Sequence, residues 1–239
     1  DNFRSEAKPE VMRWCGANHS AAAEAVVARC VCTADAVLSG EAMTAAAKIG
    51  SSSTLQALIS HLGGEGSASA QKALLFFNGD IRHSVSALLG SDDAAKQKAA
   101  LALVAQRHMT SAYQDVKHLT ASADKSVSEA AYTAMQSIVT PAQFADVCAM
   151  LNSADAANAP SLQKAAANAI ASESGSKQYE LAQKAMTASQ KQQLYYPLLA
   201  QSGTREAITT LLQQKNDAAD AALLQLDNSE MLPVLIAMV

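Results

Sequence analysis

The sequence predicts an all-α fold, a solenoid of about seven helical hairpins, and three observations lead there. Hydrophobic residues make up 49% of the chain but aromatic residues only 4%, and alanine alone supplies more than a fifth. Small side chains fill little volume, so a core made from them needs closely approaching helices, and alanine is the best helix former. No run alternates apolar and polar residues with the period of two that a half-buried strand requires. Apolar residues recur instead at helical spacing, in copies that return along the chain.

The first copy is EAMTAAAKIG, residues 41–50. Ala42, Met43, Ala46 and Ala47 form one stripe, Ala45 and Lys48 face away from it, and Gly50 stands where a helix would stop. STLQALISHL follows as a second type of helix, with Leu55, Leu58, Ile59 and Leu62. After a break at GGEG (63–66), a weaker copy starts at Ala70 and ends in FFNGD (76–80), where the pattern calls for small residues and a glycine. SDD at 91–93 introduces Ala99, Ala100, Leu103 and Val104. SAD at 122–124 introduces Val127, Ala130, Ala131, Ala134, Met135 and Ile138, with Asp124 placed to cap the helix N-terminus. Thr140 and Pro141 read as N-cap and first helical residue.

Beyond NAP (158–160), the stripe returns as Leu162, Ala165, Ala166, Ala169 and Ile170. SGSK (174–177) and QSG (201–203) are further breaks, flanking a looser copy at Leu194, Tyr195, Leu198 and Leu199 with Pro197 inside its expected helix. REAITTLLQQ carries Ile208, Leu211 and Leu212, and Ala218, Ala219, Ala222 and Leu223 follow. The leading positions, 42, 70, 99, 130, 165, 194 and 218, are 24 to 35 residues apart, room for two short helices and two turns. EMLPVLIAMV at the end repeats the second helix type through Leu232, Leu235, Ile236 and Val239.

AAAKIG followed by a helix of the xLxxLIxxL type, together with the Asp-x-x-Val-x-x-Ala-Ala run at 124–131, resembles HEAT repeats, above all their short variety shared with bilin lyases. The resemblance runs from about Pro9 to Val239 and implies a single solenoid of armadillo type across residues 1–239. It also implies a concave face, lined by the alanine-rich helices, that receives an extended partner. Solenoids normally finish on a polar cap. The half repeat at 229–239 therefore leads us to expect that the natural protein continues beyond Val239. The opening Pro-Glu-Val-x-x-Trp segment is similar to repeats that precede a sugar-active hydrolase domain in secreted proteins of Bacteroidetes-type bacteria. That likeness implies a periplasmic or secreted location.

Chemistry-bearing patterns are sparse. The formal net charge is −4 and the pI near 5.7, with no block of lysine or arginine of the kind a nucleic-acid groove needs. No apolar run approaches the roughly 18 residues of a membrane span; LPVLIAMV is short and holds Pro233. Cys15, Cys30, Cys32 and Cys148 follow no metal or disulfide spacing, and buried free thiols are the simpler reading. The five histidines form no HExxH. Asp115 and His118 could be half a metal site or a solvated face; the second is the simpler. No phosphate loop or G-x-S-x-G occurs, so neither a cofactor, a metal nor a catalytic set is expected. A bilin lyase would need placed acids and histidines around a chromophore pocket, and no such set is visible.

Trp14 is expected to seal the first helix pair, and Tyr195 to sit in the core. Tyr196 and the matching Tyr132 point away from the stripe. With Glu41, Lys48, Lys98, Glu129, Gln136, Lys164 and Asn168, they are the candidate binding surface. The function expected is a noncatalytic scaffold that binds a protein or a neighbouring domain of the same chain. The alternative is the accessory repeat region of a larger secreted carbohydrate-active hydrolase whose catalytic domain lies past Val239.

Overall fold

Fifteen α-helices and no strand make up the described part of the computed structural model, residues 7–226. The fold is all-α, as the alanine content and helical spacing predict. Two compact units divide it, with the boundary between Ala134 and Met135. The unfinished repeat expected at 229–239 lies outside the described residues.

The first unit holds α1 (Lys8–Ala17), α2 (Ala21–Val31), α3 (Ala36–Ile49), α4 (Ser52–Ser60), α5 (Ser67–Leu75), α6 (Arg82–Leu89), α7 (Ala94–Gln106) and α8 (Tyr113–Leu119). Helix α9 (Lys125–Ile138) carries the boundary. Helix α1 packs on α3, α3 on α5 and α5 on α7, forming one layer of odd-numbered helices. In the other layer α2 packs on α4 and α6 on α8, and sequential neighbours such as α3 and α4 or α6 and α7 pair across. The second unit contains α10 (Phe144–Ser153), α11 (Ala159–Ile170), α12 (Gly175–Ala188), α13 (Tyr196–Gln201), α14 (Arg205–Gln214) and α15 (Asp217–Leu223). There α11, α13 and α15 stack in turn, and α10, α12 and α14 pair with α11, α13 and α15 respectively. Each unit is thus a solenoid-like stack in which no helix buries its stripe alone.

Aspartates start the alanine-rich helices. Asp35 Oδ1 accepts from Val37 N and Leu38 N, both at 3.1 Å. Asp93 does the same for Ala95 N (2.9 Å) and Lys96 N (3.2 Å), and Asp124 for Ser126 N (2.8 Å) and Val127 N (3.3 Å). Such bonds satisfy amides that have no partner within the helix. Thr140 caps a 3-10 turn, Pro141–Gln143, rather than an α-helix directly; Gln143 Oε1 accepts from Thr140 N at 3.0 Å, and α10 follows. NAP and SGSK are helix starts more than breaks, since Pro160 sits in the first turn of α11 and Ser174 caps α12. Pro197 likewise lies in the first turn of α13, where its missing N–H costs nothing.

The departure of FFNGD from the repeat has a structural reason. Gly50 ends α3 with φ +70°, and Asn78 N donates to the α3 carbonyl of Ala47 at 2.9 Å. The two turns approach so closely that a Cβ on Gly79 would lie 2.6 Å from Gly50 O, and one on Gly50 2.8 Å from Asn78 O. The NG pair is there to seat on the end of α3. Phe77 is buried, while Phe76 points to solvent at 75% exposure.

Several expectations need correction. Ala45 is buried, because α3 meets α1 on a second face where a Cβ on Gly16 would come within 2.9 Å of Ala45 Cα. Trp14 seals nothing: Met12, Cys15 and Gly16 are buried, while Trp14, at the edge of the space between α1 and α2, is 63% exposed. Ala130 is only half-buried and Ala218 exposed; the buried positions are Ala131 and Ala219. Of the thiols, Cys15 and Cys148 are buried, Cys30 is half-buried, and Cys32, just past the end of α2, is exposed.

Candidate binding surface

On the layer of odd-numbered helices, small residues leave open grooves. Between α3 and α5 the floor is Ala47 and Ala73, and Gly40, Thr44 and Ser69 keep the walls low. Lys48, Lys72 and Phe76 rise around a space of about 410 Å³. The repeat register explains the composition. Thr44 stands two residues after Ala42 as Lys72 does after Ala70, and Lys48 six after Ala42 as Phe76 does after Ala70. Equivalent positions on neighbouring helices therefore supply the two walls.

In the second unit the groove lies between α11 and α13, continues to Gln225 and Leu226, and encloses about 650 Å³. Ala167 and Ala200 form part of its floor, and Gln163, Lys164, Gln201 and Gln225 are its long polar side chains. Gln163 Nε2 donates to Leu194 O at 2.8 Å, and Gln201 Nε2 to Ala167 O at 3.3 Å. Gln163 and Gln201 thus tie the walls together, and exposed Lys164 is the one ionisable residue of that lining.

The nine expected surface residues meet different fates. Lys48 and Lys164 line the two grooves. Glu41 is half-buried and held by Arg13 of α1, with Nη2 to Oε1 at 2.7 Å and Nε to Oε2 at 3.2 Å. That fork lowers the carboxyl pKa below its ordinary value, and Arg13 also bonds Glu10. Lys98 is exposed on α7, and its charge helps hold Asp124 ionised after the Ser126 hydroxyl and the capped amides. Glu129 is exposed, 3.7 Å from Lys125 one turn earlier. Tyr132 and Gln136 are half-buried on α9. Exposed Asn168 reaches across to donate to the Gln136 carbonyl oxygen at 2.8 Å, a structural bond between α11 and α9.

Tyr196 does not belong to this surface. It is 4% exposed and its hydroxyl donates to Gln214 Oε1 at 3.1 Å, because α13 starts at this residue and turns the ring toward α14. Lys72 and Phe76 were missed by the sequence reading. Their register match to Thr44 and Lys48 is the signal that identifies them.

A second cluster lies between α10 and α12, where an apolar groove of about 340 Å³ ends on Cys148 and Tyr195. The Tyr195 hydroxyl reaches Cys148 O at 3.2 Å and Asn152 Oδ1 at 3.0 Å, and Ser189 Oγ donates to the same Oδ1 at 2.6 Å. Tyr195 is fully buried, as expected of a core position. Burial pushes the Cys148 thiol up to about 12, and the Tyr195 phenol also to about 12. A thiol so placed stays protonated at neutral pH and is a packing group, not a nucleophile.

Asp115 accepts from Ser86 Oγ at 2.8 Å. Among the described residues no three His, Cys, Asp or Glu side chains gather as metal ligands, and no helix is long and apolar enough to cross a membrane. No protein-family model matches the chain, and no curated protein matches it either.

Proposed function

We propose that this chain is a noncatalytic helical-repeat scaffold of HEAT-like type, which binds a protein or a neighbouring domain of its own chain through the odd-numbered helices. The observation that carries the reading is the recurrence of one kind of groove in both units, α3 with α5 and α11 with α13. Alanine at the floor lets helices approach, and the same small residues leave room for a partner's side chains. Spaces of this size suit a few side chains each. Nucleic acid is not the proposed partner, given the net charge of −4.

Site-directed photocrosslinking tests this. A benzophenone side chain at position 44 or 164, in the grooves, should crosslink to a defined protein or to another segment of the full-length chain. The same group at exposed Gln56 on α4 or Thr187 on α12 should not. Crosslinks from 56 and 187 alone, or from no position, would remove the proposal.

The PEVMRW segment at 9–14 favours a second reading, the accessory repeats of a secreted carbohydrate-active hydrolase. Its Trp14 is exposed beside a groove of about 780 Å³ formed by α1 and α2, an arrangement compatible with a docked neighbouring domain. A gene without a hydrolase domain downstream of Val239 would dispose of it.

A further inference from the structure

We infer that the α3–α5 groove receives an acidic peptide segment bearing an apolar side chain. The inference rests on the scaffold reading and names the chemistry of its partner. Acidic residues outnumber basic ones in the chain, 22 to 18, yet the groove is lined by Lys48 and Lys72 and by no aspartate or glutamate. A cationic groove in an anionic chain is a local reversal of sign, and complementarity of this kind selects partners and speeds their encounter. Both lysines are exposed, and among the described residues neither has a carboxylate within ion-pair distance. Glu41, whose charge senses Lys48, is already forked onto Arg13 and leaves the lysine available.

Phe76 supplies the other half. Its ring stands at the groove edge with 75% of its surface in water, beside an alanine floor at Ala47 and Ala73. An exposed aromatic body in a lining that also carries two cations matches a ligand that presents carboxylates together with a leucine or phenylalanine. Ser69 borders the same space and can donate to a ligand carbonyl, while Thr44, whose proton goes to Gly40 O at 3.1 Å, can accept from a ligand amide. A nucleic-acid strand would satisfy the lysines but offers nothing aliphatic to the alanine floor, so a peptide fits better.

The experiment is a fluorescence-anisotropy titration of the full 239-residue chain with a labelled peptide of Glu, Leu and Phe, and with its Lys-for-Glu counterpart. The acidic peptide should bind at least about tenfold more tightly than the basic one, and weaken as salt screens the lysines. The K48E/K72E double variant should lose about tenfold or more, because two attractions become repulsions, and F76S should lose affinity with little change in salt dependence. K125E, an exposed lysine on α9, should bind as the parent does. Circular dichroism of each variant confirms that it is folded. Unchanged binding by folded K48E/K72E, preference for the basic peptide, or equal binding of a single-stranded oligonucleotide would overturn the inference. So would self-association abolished by K48E/K72E, which would assign the groove to a second copy. If crosslinking from position 44 persists while the acidic peptide fails, the scaffold reading stands and the acidic partner is rejected.

Discussion

Cys148 and Tyr195 give the protein a titration of their own at alkaline pH. Both are neutral acids enclosed between α10 and α12, and burial raises them from 9.0 and 10.0 to about 12. In the unfolded chain the thiol loses its proton above pH 9 and the phenol above pH 10, whereas the folded chain keeps both. The folded state then binds more protons, so stability falls as pH rises. Their contribution is complete below pH 9 and is lost progressively toward about 12. Each pH unit over which one such group stays protonated only in the folded state is worth about 1.4 kcal/mol. Over both groups the fall is at most roughly 7 kcal/mol, more than half of a typical domain's stability. Urea unfolding at stepped pH should show a midpoint that begins to drop above pH 9, and C148A should make that drop shallower, leaving the parts due to buried Cys15, whose thiol burial also raises, and to Tyr195 above pH 10. A C148A curve parallel to the parent would show that the thiol is not the group responsible. The exposed Asp80, held at about 2 by Arg82, adds a separate loss in acid, as pH falls below its ordinary value toward that point.

Among the helices, α11 shows most directly how alanine sets the architecture. Ala165, Ala166 and Ala169 are buried where α11 meets α10 and α13. A166L forces a branched side chain into a fully buried position, and should cost about 1–3 kcal/mol by overpacking. A221L, at an exposed position of α15, should stay within about 0.5 kcal/mol of the parent. Chemical denaturation of the two variants distinguishes close helix packing from mere helix propensity, which would predict similar small effects for both. The same packing decides what could be read from the sequence. A single stripe and an N-cap suffice to locate α7 and α9, and Asp93 and Asp124 cap them as their positions imply. A single stripe fails for α3, which touches α1, α2, α4 and α5 and so buries Ala45 as well as Ala46. Helix α12 buries Gln178, Ala182 and Met186, too few apolar residues to announce itself as a stripe; Gln178 is buried because its amide donates to Glu173 O at 2.8 Å and Ala171 O at 3.4 Å. Of the candidate surface, Lys48 and Lys164 were legible as outward positions. Tyr196 was misplaced because α13 buries more than one stripe: Tyr196 and Ala200 are enclosed along with the expected Tyr195, Leu198 and Leu199.

At the scale of the whole molecule, the division at Ala134 and Met135 bears on how the chain unfolds. Stacked repeats derive stability from each repeat and its immediate neighbours, so a defect spreads by contact rather than to every residue equally. Each unit has fully buried leucines of its own, Leu58, Leu62 and Leu103 in one and Leu151 and Leu162 in the other. Leu151 lies in α10, which packs on α11, and α11 on α13. L151A removes a buried isobutyl group and leaves a cavity, a loss of about 2–5 kcal/mol. If the units are separate cooperative bodies, amide hydrogen exchange in this variant should accelerate through α10, α11 and α13 while α3, α5 and α7 keep the parent's protection. L103A in α7 should give the reverse pattern. Equal acceleration in all six helices by either variant would show a single cooperative body and refute the division. The outcome also sets how the two grooves can respond to a ligand. In independent bodies, a peptide in the α3–α5 groove would protect α3 and α5 and leave exchange in α11 and α13 as it was.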